Sequence, residues 1–111
     1  MYPSNVAVLR GRVTSEPTVR DLPAGRTVTQ IELTTSCDGA AVSVPVVVDD
    51  RRVTAAAGDE VVVVGHVRRR FFRAGGVTQS RTEVVAAEVV PVHRRKSVDK
   101  AVAAAIAALT A

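Results

Sequence analysis

The sequence predicts an all-β protein, a barrel of five strands that is followed by a single C-terminal α-helix. Valine dominates the apolar residues, and β-branched side chains favour strands, whereas aromatic residues make up only 3 % of the 111 residues. Turn signals at short spacing separate five segments with the alternation or the apolar runs of strands. Residues 97–110, in contrast, carry apolar side chains at the spacing of a helix.

Five segments are predicted as strands: residues 5–14, 27–36, 41–48, 60–73 and 77–92. Residues 15–26 carry two prolines and a glycine and are predicted as a loop, and "AGG" at 74–76 is predicted as a tight turn. The polar connector at 49–59, with room for one helical turn, falls between the third and fourth strands, where a five-stranded OB barrel carries its helix. Pro45 cannot donate a ladder hydrogen bond, so it predicts a sheet edge or a bulge.

Alternation assigns the side chains of each strand to opposite faces. One face of the first strand carries two valines and two arginines: Val6, Val8, Arg10 and Arg12. The fourth strand contains "GHVRRRFF", in which one face carries His66, Arg68, Arg70 and Phe72. Phe71 lies on the opposite face. The basic face of the fourth strand is predicted either to contact nucleic acid or to be the charged side of an exposed hairpin.

Residues 93–111 are predicted as a basic linker and a helix. Ser97 is predicted as the N-cap, with Asp99 in the first turn. The apolar stripe of this helix consists of Val98, Val102, Ala105, Ile106 and Leu109. A helix this short is marginal alone in water. It therefore docks on this subunit or on a neighbouring one, or it frays as an alanine-rich tail.

The charge balance is basic, with a formal net charge of +4 and a sequence pI of about 10.2. Such a balance favours a polyanionic partner, although a charge of this size can also serve solubility alone. Cys37 is the single cysteine, which excludes an internal disulfide and fits a reducing cytoplasm. The sequence has no apolar run near 18 residues and no signal-peptide layout, so we expect no membrane association.

The sequence carries no arrangement of residues that predicts catalysis, so we expect no enzyme and no small-molecule substrate. Cys37, His66 and His93 lack the spacing of metal ligands, and we expect neither a metal nor a cofactor. The adjacent Asp49 and Asp50 do not form an acid–base pair across a substrate. The glycine-containing turns lack the Gly-Lys-Ser/Thr of a phosphate-binding loop.

Four ordered segments resemble the bacterial single-stranded DNA-binding protein family. "NVAVLRGRVTSEPTVR" is similar to the opening strand of that family, and "LPAGRTVTQIELTTS" is similar to its second strand. "GDEVVVVGHVRRRFF" resembles the Gly-Asp turn and the Arg-x-Arg-x-aromatic strand, and "RTEVVAAEV" resembles the closing strand. The resemblance covers residues 5 to about 92.

The resemblance implies a five-stranded OB-fold Greek-key barrel at residues 1–92. It also implies homo-oligomers, either dimers or tetramers built from dimers, and a cytoplasmic, nucleoid-associated protein. The function that it implies is sequence-nonspecific binding of single-stranded DNA in replication, repair or recombination. The implied DNA contacts are Arg68, Arg70, Phe72 and His66, which Arg10, Arg12 and Arg20 could extend, and the implied oligomer interface includes Val6 and Val8.

The sequence departs from the family pattern at several places. The family places a large aromatic residue on the third strand, but "VSVPVVVDD" has none, and the chain contains no tryptophan. The family ends in an acidic tip that recruits partner proteins, but this chain ends in a basic and then apolar segment, so such recruitment is not expected. These departures leave an alternative open, which is an oligomeric OB-fold protein-interaction module that has lost most of its DNA binding.

Overall fold

The computed structural model describes residues 4–49 and 53–111. These residues form six strands and one α-helix. The elements are β1 (Ala7–Val13), β2 (Thr18–Asp21), β3 (Thr27–Cys37), β4 (Ala40–Asp49), β5 (Glu60–Ala74), β6 (Val77–Pro91) and α1 (Arg95–Leu109). A short 3₁₀ turn, Pro23–Gly25, lies between β2 and β3.

Five of the strands close into a barrel. Their order is β1-β5-β6-β4-β3, and β1 returns to β3 through the pairs Arg12–Thr34 and Val13–Leu33. All neighbours are antiparallel except β4 and β6, which pair in parallel at Val46 and Val47. This architecture, with its helix after the last strand, confirms the predicted all-β OB fold.

The prediction that residues 15–26 form only a loop was wrong, because this segment contains β2. The strand lies between Pro17 and Pro23 and pairs with the first half of β3, from Thr18–Gln30 to Asp21–Thr27. β1 pairs with Leu33 and Thr34 of β3, so β2 and β1 border successive parts of this strand. The four residues of β2 are therefore ordered as a strand by their pairing with β3 and not by their own sequence.

The connector between β4 and β5 is described only in part. Its residues 53–59 contain a turn and no helix, and the remainder of the predicted helical turn falls outside the described residues. Pro45 lies in β4 opposite Glu32 of β3, directly before the two residues that pair with β6. The edge of β4 that faces β6 is thus paired only after Pro45, as expected because proline has no amide hydrogen to donate.

The barrel interior is aliphatic. Its buried residues come from every strand of the closed barrel: Val13, Ile31, Leu33, Val46, Val48, Val61, Val63, Val84 and Ala86. The alternation predicted for the first strand is confirmed in β1, where Leu9 and Val13 point inward while Arg10 and Arg12 point outward. β3 alternates in the same way. Valine serves this core because its branched side chain fits a half-buried pleated surface.

The β5–β6 hairpin extends well beyond the barrel. Gly75 and Gly76 form its turn, and both have positive φ values, 59° and 79°. A two-residue turn of this kind matches the twist of the strands that it joins and sets their register. Further down the hairpin, Val64 pairs with Glu88 and Gly65 pairs with Ala86, so Ala87 forms a β-bulge.

Helix α1 docks on its own barrel, which decides among the predicted alternatives. Ala105 is buried against Val62 and Val64 of β5, and Val98 and Val102 pack around this contact. Ile106 and Leu109, which the predicted stripe included, are exposed instead. Among the described residues, no helix combines the length and apolar character needed to cross a membrane.

The predicted start of the helix was also wrong. The helix begins at Arg95, so Ser97 lies inside its first turn and is not the N-cap, and the first turn contains no acidic residue. Arg94 occupies the N-cap position, and its amide donates to the carbonyl of Pro91 at 3.0 Å. The chain therefore turns directly after β6 and enters the helix without a capping side chain.

Candidate nucleic-acid interface

A groove crosses the outer face of the barrel. The residues that line it come from β2, β3, β4, β5 and β6 and from the segment between β2 and β3: Arg20, Leu22, Arg26, Val28, Gln30, Val47, Asp49, Arg68, Arg70 and Glu83. Its volume is about 320 Å³, and one side is open. Basic side chains therefore lie at both sides of a floor that contains apolar, amide and carboxylate side chains, because β2 and β5 flank the β3–β4–β6 sheet.

Three of the predicted DNA-contact arginines meet in this groove. Arg20 comes from β2, whereas Arg68 and Arg70 come from β5. Phe72 follows on the same face of β5, and the guanidinium of Arg70 lies 5.4 Å from the centre of its ring. His66 is exposed at the next position along this face toward the barrel. The predicted basic face of the strand is thus a real surface with one half-buried aromatic ring.

A buried carboxylate, which the sequence analysis did not single out, lies between these arginines. Glu83 of β6 is 1 % exposed. Its Oε2 accepts hydrogen bonds from Arg68 at 2.6 Å and 3.2 Å, and Arg70 Nε lies 3.5 Å from the same oxygen. Arg81 Nε lies 3.8 Å from Oε1, and no group in the described part of the chain makes a hydrogen bond to Oε1. Three cations therefore surround one anion.

These contacts control the ionisation of Glu83. Burial raises the pKa of its carboxyl group, but the hydrogen bond from Arg68 and the charges of Arg70 and Arg68 outweigh burial and hold the pKa below its ordinary value. Glu83 is therefore ionised at neutral pH. The groove retains a positive charge, because four arginines line it against the two carboxylates of Asp49 and Glu83.

The hairpin register contains the signal that would have identified Glu83. A two-residue turn at Gly75–Gly76 places Ala74 opposite Val77. Counting back along both strands from that pair puts Arg68 opposite Glu83 and Arg70 opposite Arg81. Since cross-strand partners lie on the same face of a sheet, the pairing of Arg68 with Glu83 follows from the turn.

The opposite face of the hairpin repeats the pairing of an arginine with a phenylalanine. Arg69 lies 5.0 Å from the centre of the Phe71 ring, and its guanidinium also donates to the Ser80 hydroxyl. Phe71 is 63 % exposed. The two phenylalanines therefore differ in their surroundings, since only Phe72 shares a face with the arginines of the groove.

Arg10 and Arg12, the other predicted DNA contacts, lie elsewhere. Both face Glu60, at 3.0 Å and 3.7 Å, and they pair with the end of β5 that is distant from Arg68 and Arg70. The structure does not bring them together with the groove. Exposed ion pairs of this kind contribute at most about 1 kcal/mol to stability.

The predicted oligomer interface is divided by the C-terminal helix. Val6 packs against the cluster that joins α1 to the barrel, whereas Val8 is exposed. Asn5 connects the segment before β1 to β5. Its side-chain amide exchanges two hydrogen bonds with the backbone of Val67, at 2.7 Å and 3.0 Å. The helix of this chain thus covers part of the surface that the resemblance assigns to another subunit.

Metal binding finds no support in the part of the chain that the structure describes, where no group of three His, Cys, Asp or Glu residues could hold an ion. Cys37 is exposed at the end of β3.

Comparison with known proteins supports the fold. No protein-family model and no curated protein matches this sequence. Among solved structures, the chain is similar to one described as "Plasmodium falciparum SSB complex with ssDNA". The TM-score is 0.70 at 20 % sequence identity, and the match covers 82 % of this chain and 97 % of the other. At this identity the likeness establishes a shared OB fold.

Proposed function

We propose that this chain binds single-stranded DNA without sequence preference in the groove of the barrel. The observation that carries the proposal is the convergence of Arg20, Arg68 and Arg70 on one open groove beside Phe72. The structural likeness to an SSB complex with ssDNA supports the same function. In such a site, cations follow the phosphates while π-faces stack on bases, and neither contact reads the sequence.

The proposal extends to family and cellular role. We propose a divergent member of the bacterial single-stranded DNA-binding proteins that acts without catalysis in replication, repair or recombination. Its cytoplasmic, nucleoid-associated location and its assembly into homo-oligomers belong to the same proposal. Because Val6 is partly covered by α1, an interface on β1 would rest on Val8 and the exposed part of the helix.

The test is a titration of a labelled oligothymidylate at two salt concentrations. Arginine contacts with phosphates release counterions, so three such contacts give a slope of log K against log salt of about −2 for a single strand. Arg70→Ala should weaken binding and reduce the slope by about 0.7. No detectable binding at low salt would reject the function.

Arg69→Ala is the matched control. It removes the same charge from the neighbouring residue, which also lies over a phenylalanine, but on the opposite face of β5. The groove predicts a large loss for Arg70→Ala and a small loss for Arg69→Ala. Equal losses would show that binding depends on the overall charge of the hairpin and not on the groove.

The alternative function is an oligomeric protein-interaction module, and one observation favours it. Phe71 is largely exposed on the face away from the groove, and the exposed Val67 lies on the same strand face beyond Arg69. An exposed aromatic ring of this kind suits contact with a protein partner. The same titration separates the two functions, because the module would bind no oligothymidylate at low salt.

A further inference from the structure

Three arginines converge on Glu83 from two neighbouring strands. Arg68 and Arg70 come from β5, and Arg81 comes from β6. The ion pairs of Arg70 and Arg81 run through Nε, the inner edge of the guanidinium group. All three arginine side chains remain 40–42 % exposed, while the Glu83 side chain is entirely buried. The Glu83 carboxylate thus lies at the inner edge of three guanidinium groups whose outer parts are exposed.

A purely electrostatic role in ligand binding does not explain why Glu83 lies in the groove. A carboxylate at the floor of a groove that binds a polyanion repels the ligand, and it cancels one of the arginine charges. Its Oε1 is also buried without a hydrogen bond among the described residues, which is a costly arrangement. Charge alone would therefore favour a neutral residue at this position.

A role in orienting the arginines explains why a carboxylate lies at the position of Glu83. A free arginine side chain samples many rotamers, and ordering it on binding lowers affinity. Contacts with a fixed carboxylate order the guanidinium group before the ligand arrives, and a planar guanidinium group stacks on bases as an aromatic ring does. Arg70 is held from a second side as well, by the ring of Phe72.

Building on the proposed function, we propose that Glu83 is a positioning residue that holds Arg68, Arg70 and Arg81 as stacking platforms for bases. The arginines take the place of the aromatic side chains that the barrel lacks. Arg81, which lies outside the predicted DNA contacts, becomes part of the interface. The groove therefore recognises the bases of a single strand and not only its phosphates.

The test compares an oligothymidylate with an abasic oligomer of equal length for wild type, Glu83→Gln and Glu88→Gln. Both substitutions remove one negative charge from β6, but Glu88 is exposed outside the groove, beside α1. Glu83→Gln should weaken oligothymidylate binding roughly two- to tenfold for each arginine that it releases. Its binding of the abasic oligomer should not weaken. Tighter binding of both oligomers by Glu83→Gln would overturn the proposal, because charge removal alone predicts that result.

A second pair of variants retains the charge. Arg81→Lys keeps the cation but loses the planar group, so it should weaken binding of the oligothymidylate more than binding of the abasic oligomer. Arg69→Lys, on the opposite face, should change neither. If thermal unfolding shows that Glu83→Gln does not fold, Arg81→Lys decides the question, and equal binding by Arg81→Lys and wild type overturns the proposal.

The wild-type measurements separate this proposal from the proposed function. Binding of neither oligomer at low salt rejects both. Equal binding of the base-containing and abasic oligomers leaves the groove as a DNA site and overturns the stacking role.

Discussion

Replacement of Phe72 by alanine removes the phenylalanine ring that lies on the face of the groove. A base that stacks on an aromatic side chain contributes about 1–3 kcal/mol, which corresponds to roughly a five- to 150-fold change in Kd. The substitution also removes the ring beneath Arg70, a contact at 5.4 Å that contributes about 0.5–1 kcal/mol at an exposed site. We therefore expect Phe72→Ala to weaken binding of an oligothymidylate at least fivefold.

Phe71→Ala provides the matched control for this experiment. It removes the same ring from the next residue and also deprives an arginine of its cation–π partner, but on the other face of β5. Fluorescence anisotropy at low salt gives the two affinities, and thermal unfolding verifies that both variants fold. The reasoning fails if Phe71→Ala weakens binding as much as Phe72→Ala, because the groove would then not be the site.

Three further predictions concern the barrel and the contacts that shape the groove. A Cβ atom at Gly65 would clash with the carbonyl oxygen of Val85, so Gly65→Ala should lower the free energy of unfolding by about 1–3 kcal/mol in urea titrations. The Glu83 pKa is held below its ordinary value, so its stabilising contribution is complete above the pKa of the unfolded chain and is lost as pH falls through the folded-state pKa. Glu83→Gln should therefore flatten the acid side of the stability–pH profile, and an unchanged profile would contradict this. Ala105→Asp places a charge between α1 and the barrel and should destabilise the fold by roughly 2 kcal/mol. Ala103→Asp places the same charge at an exposed position of the helix and should change the urea midpoint little.

The main strands were predictable because their signals are local. Alternation divided the residues of β1 correctly between two faces, and the glycine pair at the hairpin tip located the turn. β2 was missed because Pro17, Pro23 and Gly25 mark a loop in the local sequence. A four-residue strand becomes ordered there only through its pairing with β3.

The basic face of β5 was also predictable, since period two places Arg68, Arg70 and Phe72 together. Glu83 was not predicted as their partner, although the hairpin turn fixes the register that places it opposite Arg68. The grouping of Arg20 with this face, and the separation of Arg10 and Arg12 from it, depends on how the barrel closes.

The sequence by itself determined the class of fold, the inward and outward faces of its strands and the basic character of one hairpin, because each of these properties follows from local periodicity and turn chemistry. Only the tertiary structure decided that α1 packs on Val62 and Val64, that β2 completes the border of β3, and that Glu83 lies among three arginines. Those arrangements arise from pairs of residues that are distant along the chain. The contacts between these residues stabilise the protein only when the barrel has closed.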